Sequence, residues 1–211
     1  MKIKTLALAF ALTTVPALAS ADDTNKTTDK TATDKAATDK TKAANKLVEA
    51  EVKIVAHLHH VNLMEIDMGK MAQKSGTAAV KRYGEMLVKD HTTADKELTA
   101  MAKKKGVAKI PADVPQTDSE KAEHKEQMDG MAALKKLKGA DFDREYLRMM
   151  VDGHEKELAK SDPFIAQATD SDLKATLESR KTTLKRHADA ARELQKGNAQ
   201  ASSATTPSGT K

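Results

Sequence analysis

Four ionisable side chains of this 211-residue chain occupy positions where an apolar residue is expected. They are Glu65, His91, His154 and His187, and each continues an apolar stripe that recurs every three or four residues. Burying an ionisable group is costly unless a partner satisfies it, so four such groups on buried stripes indicate a built polar site. Imidazole and carboxylate groups that converge inside a helical bundle are typical of a metal centre. These residue types therefore predict one divalent transition-metal ion, such as zinc, copper or iron.

The elements that must carry these residues are predicted to be helices. Few valine and isoleucine residues and an aromatic content of 2% argue against sheets, while a 3.6-residue periodicity covers most of the chain. Pro163 either kinks or ends the fourth helix. Gly69 and Gly84 lie near one level of the first two helices, which predicts a close approach of their backbones. The five predicted helices cover about residues 45–74, 77–105, 117–139, 141 to Pro163 or beyond, and 170–196.

The heights of the four side chains follow from folding each helix pair about its turn. With turns at Gly76 and near Thr169, the three histidines fall near the middle of the bundle, provided that the fourth helix continues past its proline. Glu65 is displaced from the level of His91 by about 7 Å, at about 1.5 Å of rise per residue. Only side-chain reach or a shifted turn would bring Glu65 to the histidines.

The remaining histidines and the methionines have alternative interpretations. His57, His59 and His60 form either a second, exposed ion site or, more simply, a polar helix face. His124 heads the apolar stripe of the third helix and is a reserve candidate for the central layer. Methionine thioethers suit Cu(I), but most of the ten methionines fall on core stripes, where filling gaps in an aromatic-poor core explains them more simply.

Both ends of the chain are predicted to lie outside the bundle. Residues 1–21 combine two lysines, a short apolar run and small residues around Ala19, which predicts a signal peptide and an exported protein, periplasmic or secreted. The apolar run is too short for a transmembrane anchor. Residues 22–45 repeat Thr-Asp-Lys units without large apolar residues and predict a disordered linker, and 197–211 predict a disordered tail. Residues 46–196 remain as one helical-bundle domain.

Charge and cysteine content exclude further classes. The formal net charge of +5 includes Lys2 and Lys4, so the chain without its first 21 residues carries about +3. These charges are interleaved and form no basic stripe with stacking aromatics, so we expect no nucleic-acid partner. The chain has no cysteine, so neither disulfides nor thiolate ligands are available. The sequence identifies no other partner and no oligomeric state.

Several motifs occur in a fixed order along the domain. They are Glu65-x-x-x-Gly69-x-x-Ala72, Met86-x-x-x-Asp90-His91, Phe142-Asp143-x-x-Tyr146 with His154 eight residues later, and Leu184-x-x-His187-x-x-Ala190. Over about residues 46–196 this set resembles the exported bacterial family called domain of unknown function 4142. The resemblance implies a ferritin-like four-helix bundle, made by the first, second, fourth and fifth helices with the third as an addition, and it implies no established activity.

Ferritin chemistry does not follow from that resemblance. Carboxylate-bridged di-iron centres use Glu-x-x-His motifs, and this sequence contains none, so a single ion bound mainly by imidazole is the better expectation. A ligating histidine usually donates its second ring N–H to a carboxylate or a similar acceptor. Asp90, Asp143 and Tyr146 are the predicted partners of this kind.

Three classes of function remain open. The first is an exported metal-binding protein that stores, buffers or senses an ion. The second is a non-catalytic structural or stress-related interaction module, whose buried His/Glu layer only fixes helix packing or responds to pH. The third is a redox enzyme, ranked last because no nucleophile, phosphate loop or paired acid/base motif is recognisable.

Overall fold

The computed structural model describes the backbone of residues 46–204 and the side chains of residues 46–200. This part of the chain contains helices and no strands, which confirms the predicted all-α class. The predicted signal peptide and linker lie outside the described residues, as does the segment 205–211. The last helix continues to Ala204, past its predicted end at Lys196. The helices are α1 (Glu49–Ser75), α2 (Ala78–Lys104), α3 (Asp118–Leu134), α4 (Gly139–Gln167) and α5 (Ser171–Ala204).

The first two helices form a tight antiparallel hairpin around Gly76. Two glycines allow the close contact of these helices: a Cβ atom built on Gly69 would lie 2.7 Å from the carbonyl oxygen of Gly84, and one built on Gly84 would lie 2.6 Å from that of Gly69. Real Cβ atoms are not found so close to a backbone oxygen, so only glycine fits at either position. The predicted backbone approach is confirmed.

The second hairpin consists of α4 and α5, and Pro163 lies inside α4 without ending it. The turn between these helices is held by Glu51 at the start of α1. One carboxylate oxygen of Glu51 accepts the backbone N–H of Thr169 at 2.7 Å and that of Asp170 at 2.8 Å. Because α4 continues past Pro163 to Gln167, the predicted height of His154 near the middle of the bundle holds.

The two hairpins are joined by one long crossover. Lys105, at the end of α2, pairs with Asp170 at the start of α5 at 2.7 Å. Thr77, at the start of α2, donates its backbone N–H to Asp143 near the start of α4 at 3.0 Å. The chain between α2 and α4 therefore runs the length of the bundle. Helices α1, α2, α5 and α4 pack in that cyclic order. This is a four-helix bundle with a single crossover, the arrangement of ferritin-like folds.

The third helix lies outside this bundle as part of the crossover. It starts at a capping box, in which Thr117 accepts the backbone N–H of Glu120 at 3.1 Å. Leu134 is its one fully buried residue. Among the described residues, no helix combines the length and the apolar character needed to cross a membrane.

The apolar core is divided into two clusters, one toward each end of the bundle. Between them, each of the four bundle helices places polar residues on its inward face. The cluster near the Gly76 turn includes Met68, Leu87, Tyr146 and Ala191, and the cluster at the opposite end includes Leu58, Leu98, Ala168 and Leu177. The polar layer therefore lies at mid-height, as the rise per residue predicted.

Candidate metal centre

Three of the four predicted site residues meet in this polar layer. His91 on α2, His154 on α4 and His187 on α5 are at most 3% exposed. Their ring centroids lie 5.3 Å apart for His91 and His187, 5.4 Å for His154 and His187, and 6.4 Å for His91 and His154. One ring nitrogen from each histidine lies within 4.8 Å of the other two. The structure thus brings these three imidazoles together in the middle of the bundle.

Each of these histidines donates one ring N–H to an oxygen that can only accept. The pairs are His91 Nδ1 with Asn62 Oδ1 at 3.0 Å, His154 Nδ1 with the backbone oxygen of Met150 at 2.7 Å, and His187 Nε2 with Asp90 Oδ2 at 3.0 Å. In the neutral form of each ring these hydrogen bonds fix the tautomer, and the second nitrogen then carries a lone pair. The second nitrogens are His91 Nε2, His154 Nε2 and His187 Nδ1. All three are buried and have no hydrogen-bond partner.

Burial keeps the rings of His91 and His187 in the neutral form that a metal requires. Burial, reinforced by the neighbouring His187 and His154, lowers the pKa of His91 to about 2. Burial also lowers the pKa of His187 to about 4, although its hydrogen bond to Asp90 acts in the opposite direction. Near neutral pH both rings are therefore uncharged, and their lone pairs are free to bind a cation.

The three nitrogens fit an ion with short bonds to imidazole. Tetrahedral coordination at bond lengths of about 2.0–2.1 Å places ligand nitrogens about 3.3 Å apart. One nitrogen of each ring lies within 4.8 Å of the other two, and side-chain movements of about an ångström would close that separation to the required value. Three protein ligands leave one coordination position for water or another group.

The fourth predicted ligand, Glu65, lies next to this group but not in it. Glu65 is 4% exposed, and its Oε1 lies 4.0 Å from His154 Nδ1, the nitrogen that is already bonded to a backbone oxygen. Its Oε2 has no hydrogen-bond partner. Burial raises the pKa of Glu65, although the nearby His154 acts in the opposite direction, so the protonated form extends to higher pH than for a free carboxyl. The predicted vertical displacement of Glu65 explains this placement.

The three residues predicted to orient the histidines make different contacts in the structure. Asp90 binds His187 and also accepts a 2.6 Å hydrogen bond from Arg186. Asp143 does not orient a histidine, because it binds both the backbone N–H and the hydroxyl of Thr77 at the end of the bundle. The buried hydroxyl of Tyr146 has no hydrogen-bond partner, so it does not orient a histidine either.

A comparison with protein-family models places the sequence in a known group. The model described as domain of unknown function (DUF4142) matches residues 36–194. The chain belongs to this family. No curated protein and no solved structure gave a match.

Sequence reasoning missed several contacts of this family member's site. Asn62 holds His91 and lies three residues before Glu65 on the inward face of α1, so the stripe could have indicated it. The acceptor for His154 is a main-chain oxygen, which no residue type reveals. Tyr83 donates its hydroxyl to the backbone oxygen of His187 at 3.1 Å. These contacts add to the hydrogen bonds that hold the rings in place.

The remaining histidines do not form the single exposed site considered from the sequence. They turn to different neighbours, and His124 lies on the outer helix rather than in the central layer. The observed contacts are His57 with Asp113 at 2.9 Å and with Glu157 at 3.1 Å, His59 with Asp95 at 2.6 Å, and His60 with His124 at a ring-centroid distance of 6.1 Å.

A fully paired carboxylate lies one helical turn from the three central histidines. Glu157 accepts hydrogen bonds from Arg180 at 2.9 Å, from Lys160 at 3.2 Å and from His57. Although burial alone would raise the pKa of Glu157, His57 and the two cations hold it well below its usual range. This fold can therefore satisfy a buried charge with its own side chains, which makes the unpartnered nitrogens of the central layer more informative.

Proposed function

We propose that this protein binds one divalent transition-metal ion, such as zinc, copper or iron, through His91, His154 and His187, and that it stores, buffers or senses that ion. Two observations support this proposal most directly: one ring nitrogen from each of the three buried imidazoles lies within 4.8 Å of the other two, and each ring has one nitrogen without a hydrogen-bond partner. The opposite nitrogen of every ring is held by an oxygen acceptor, which is the usual arrangement of a metal-ligating histidine.

The alternative is a layer that only fixes helix packing. A buried polar atom without a partner costs about 1–3 kcal/mol, so a layer with a packing role alone should satisfy its own atoms. Glu157 meets that expectation, whereas the three ring nitrogens and one oxygen of Glu65 do not. A cation would accept all three lone pairs at once. This contrast favours metal binding over a structural polar layer.

The chemistry of the ligand atoms restricts the ion. Neutral imidazole suits zinc, copper, nickel and iron, whereas magnesium and calcium require oxygen ligands. A divalent ion on three neutral rings would place two positive charges inside the bundle. Asp90 lies against His187, and Glu65 lies beside His154, so two carboxyl groups are close enough to offset that charge.

We further propose that the protein acts outside the cytoplasm, in the periplasm or as a secreted protein. The support is the sequence of residues 1–21, with its lysines, short apolar run and small residues. A buffering or sensing role is consistent with that location.

Metal analysis of the untagged protein tests the proposal. We expect protein purified from cells supplied with zinc, copper and iron to carry about one ion per chain, and the chelator-treated protein to gain thermal stability when the ion returns. His91→Ala and His187→Ala should each weaken binding by at least about 100-fold, because each removes one of three ligands. His59→Ala is the matched control and should bind as the parent does, because this histidine contacts Asp95 outside the layer.

Two results would overturn the proposal. One is an untagged parent protein that carries no stoichiometric metal and shows no thermal shift with any of the three ions. The other is metal binding that survives unchanged in both central variants. Circular dichroism spectra of the variants establish that they remain helical, so lost binding would not be mistaken for unfolding.

A further inference from the structure

A second group of metal-ligand side chains lies on the outside of the bundle, where α3 packs beside α1. His60 and Met64 are four residues apart on α1, and His124 and Met128 are four residues apart on α3. Residues four apart on a helix lie on one face, so each helix presents an imidazole followed by a thioether. The rings of His60 and His124 are 6.1 Å apart at an interplanar angle of 37°.

The two helices run in the same direction, so both pairs share one register. Next to the His60 and His124 rings, the side-chain amide of Gln127 on α3 contacts the sulfur of Met64. About two turns beyond, Met71 of α1 and Lys135 at the end of α3 line the same surface cavity. Met128 follows Gln127 directly, and therefore falls at the level of Met64.

The imidazoles of this group remain available as ligands. Among the described residues, neither His60 nor His124 makes a hydrogen bond through its ring, unlike the neighbouring His57 and His59. Both rings are half-buried, and Met128 is 53% exposed, so an ion can reach the group from solvent. Two imidazoles that share one ion at bond lengths of about 2.0 Å have ring centroids about 5–6 Å apart, close to the observed separation.

We propose that His60, Met64, His124 and Met128 form a second, surface-accessible site for a soft monovalent cation, copper(I) or its analogue silver(I). Thioether sulfur is a soft ligand and selects Cu(I), while imidazole accepts the same ion. The site uses none of the three central histidines and stands apart from the proposed divalent site. Because its ligands come from both helices, a bound ion would also hold α3 against α1. This contact would matter for α3, which places only Leu134 fully inside the core.

Nuclear magnetic resonance of the methionine methyl groups tests the site directly. The chain has ten methionines, and ¹³C-methyl labelling reports on each of those in the purified protein. On titration with silver(I), we expect the signals of Met64 and Met128 to move and to saturate at about one ion per chain. Met71 on the same helix is the internal control, and its signal should move much less. Substitution of single methionines by leucine assigns the signals.

Copper(I) affinity, measured anaerobically against a coloured competing chelator, supplies the second measurement. The double variant Met64→Leu/Met128→Leu keeps the side-chain volume and should bind copper(I) at least about tenfold more weakly, because it removes both thioethers. His60→Ala/His124→Ala should lose the site. Met71→Leu and His59→Ala are the matched controls and should match the parent.

The double variant His91→Gln/His187→Gln separates this proposal from the proposed function. It should lose the divalent ion and keep the silver-induced shifts of Met64 and Met128. The second site is refuted if the parent shows no shift of these two signals, if other methionines take up the ion instead, or if Met64→Leu/Met128→Leu binds copper(I) as tightly as the parent.

Discussion

Acidification should destabilise the metal-free protein through the histidines of the central layer. In the unfolded chain, His91 takes up a proton as the pH falls through about 6.5, whereas in the folded protein burial lowers its pKa to about 2. The unfolded state therefore binds more protons between these two values. The free energy of unfolding consequently rises with pH in this window and is lost as the pH falls. His187 behaves in the same way, with a folded pKa of about 4.

The magnitude follows from the width of the window. Each group contributes about 1.36 kcal/mol for every pH unit between its two pKa values, so His91 alone should cost about 2 kcal/mol between pH 7.5 and pH 5. Glu65 and His57 act in the opposite direction, because their folded pKa values are raised. A comparison of the parent with a His91 variant cancels those opposing contributions, since both proteins contain them.

His91→Gln provides that comparison. Glutamine does not titrate in this range and can still donate a hydrogen bond to Asn62. We expect chelator-treated parent protein, unfolded by urea at pH 7.5, 6.5 and 5, to lose about 2 kcal/mol more than His91→Gln does over this range. Equal losses in the two proteins would show that His91 is not held neutral by burial. A larger loss in the variant would reverse the sign and refute the reasoning.

Two further predictions concern the partners of the site and the packing that positions it. Asp90→Asn should weaken zinc binding about tenfold, or about 1.4 kcal/mol, because the hydrogen bond from His187 loses its charged acceptor. Asp67→Asn changes an exposed carboxylate and should leave zinc binding unchanged. Equal zinc affinities of Asp90→Asn and the parent in a chelator competition would contradict the role of Asp90. Gly69→Leu and Gly84→Leu should each lower stability by about 1–3 kcal/mol or more through overlap with a facing carbonyl oxygen. Gly153→Ala is the control: its Cβ would meet nothing within 4 Å, so this substitution should be neutral or stabilising. Unchanged melting temperatures of the two leucine variants would refute the close contact between α1 and α2.

Much of the fold could be predicted because helix boundaries have local causes. The capping box at Thr117 and the turn glycine Gly76 are short-range signals, and both mark helix ends in the structure. The outcome at Pro163 was open, because whether a helix survives a proline depends on the partner helix that packs against it. Helix α5 continues past its predicted end at Lys196 through Gly197 and Asn198, two residue types of low helix propensity, so propensity alone does not place this end.

The candidate site was predictable to the extent that it depends on periodicity and rise per residue. Those two quantities place three histidines inward and at one level, and they also indicate that Glu65 lies too far along its helix. The same rule argues against Asp143, which precedes His154 by eleven residues, or about 16 Å. The acceptors Asn62 and the carbonyl oxygen of Met150 depend on side-chain rotamers, which the sequence does not determine.

The unpartnered nitrogens connect the stability of the bundle to the proposed ion. Three buried acceptors at about 1–3 kcal/mol each are a large fraction of the stability of a single domain, about 5–15 kcal/mol. An ion at a free concentration 100 times its dissociation constant would return about 2.7 kcal/mol, and more at higher concentration. The ion therefore offsets a large part of the cost, so the free energy of unfolding should rise with the supply of metal. Such a response suits a protein that buffers or senses an ion, because occupancy of the site and stability of the core would change together.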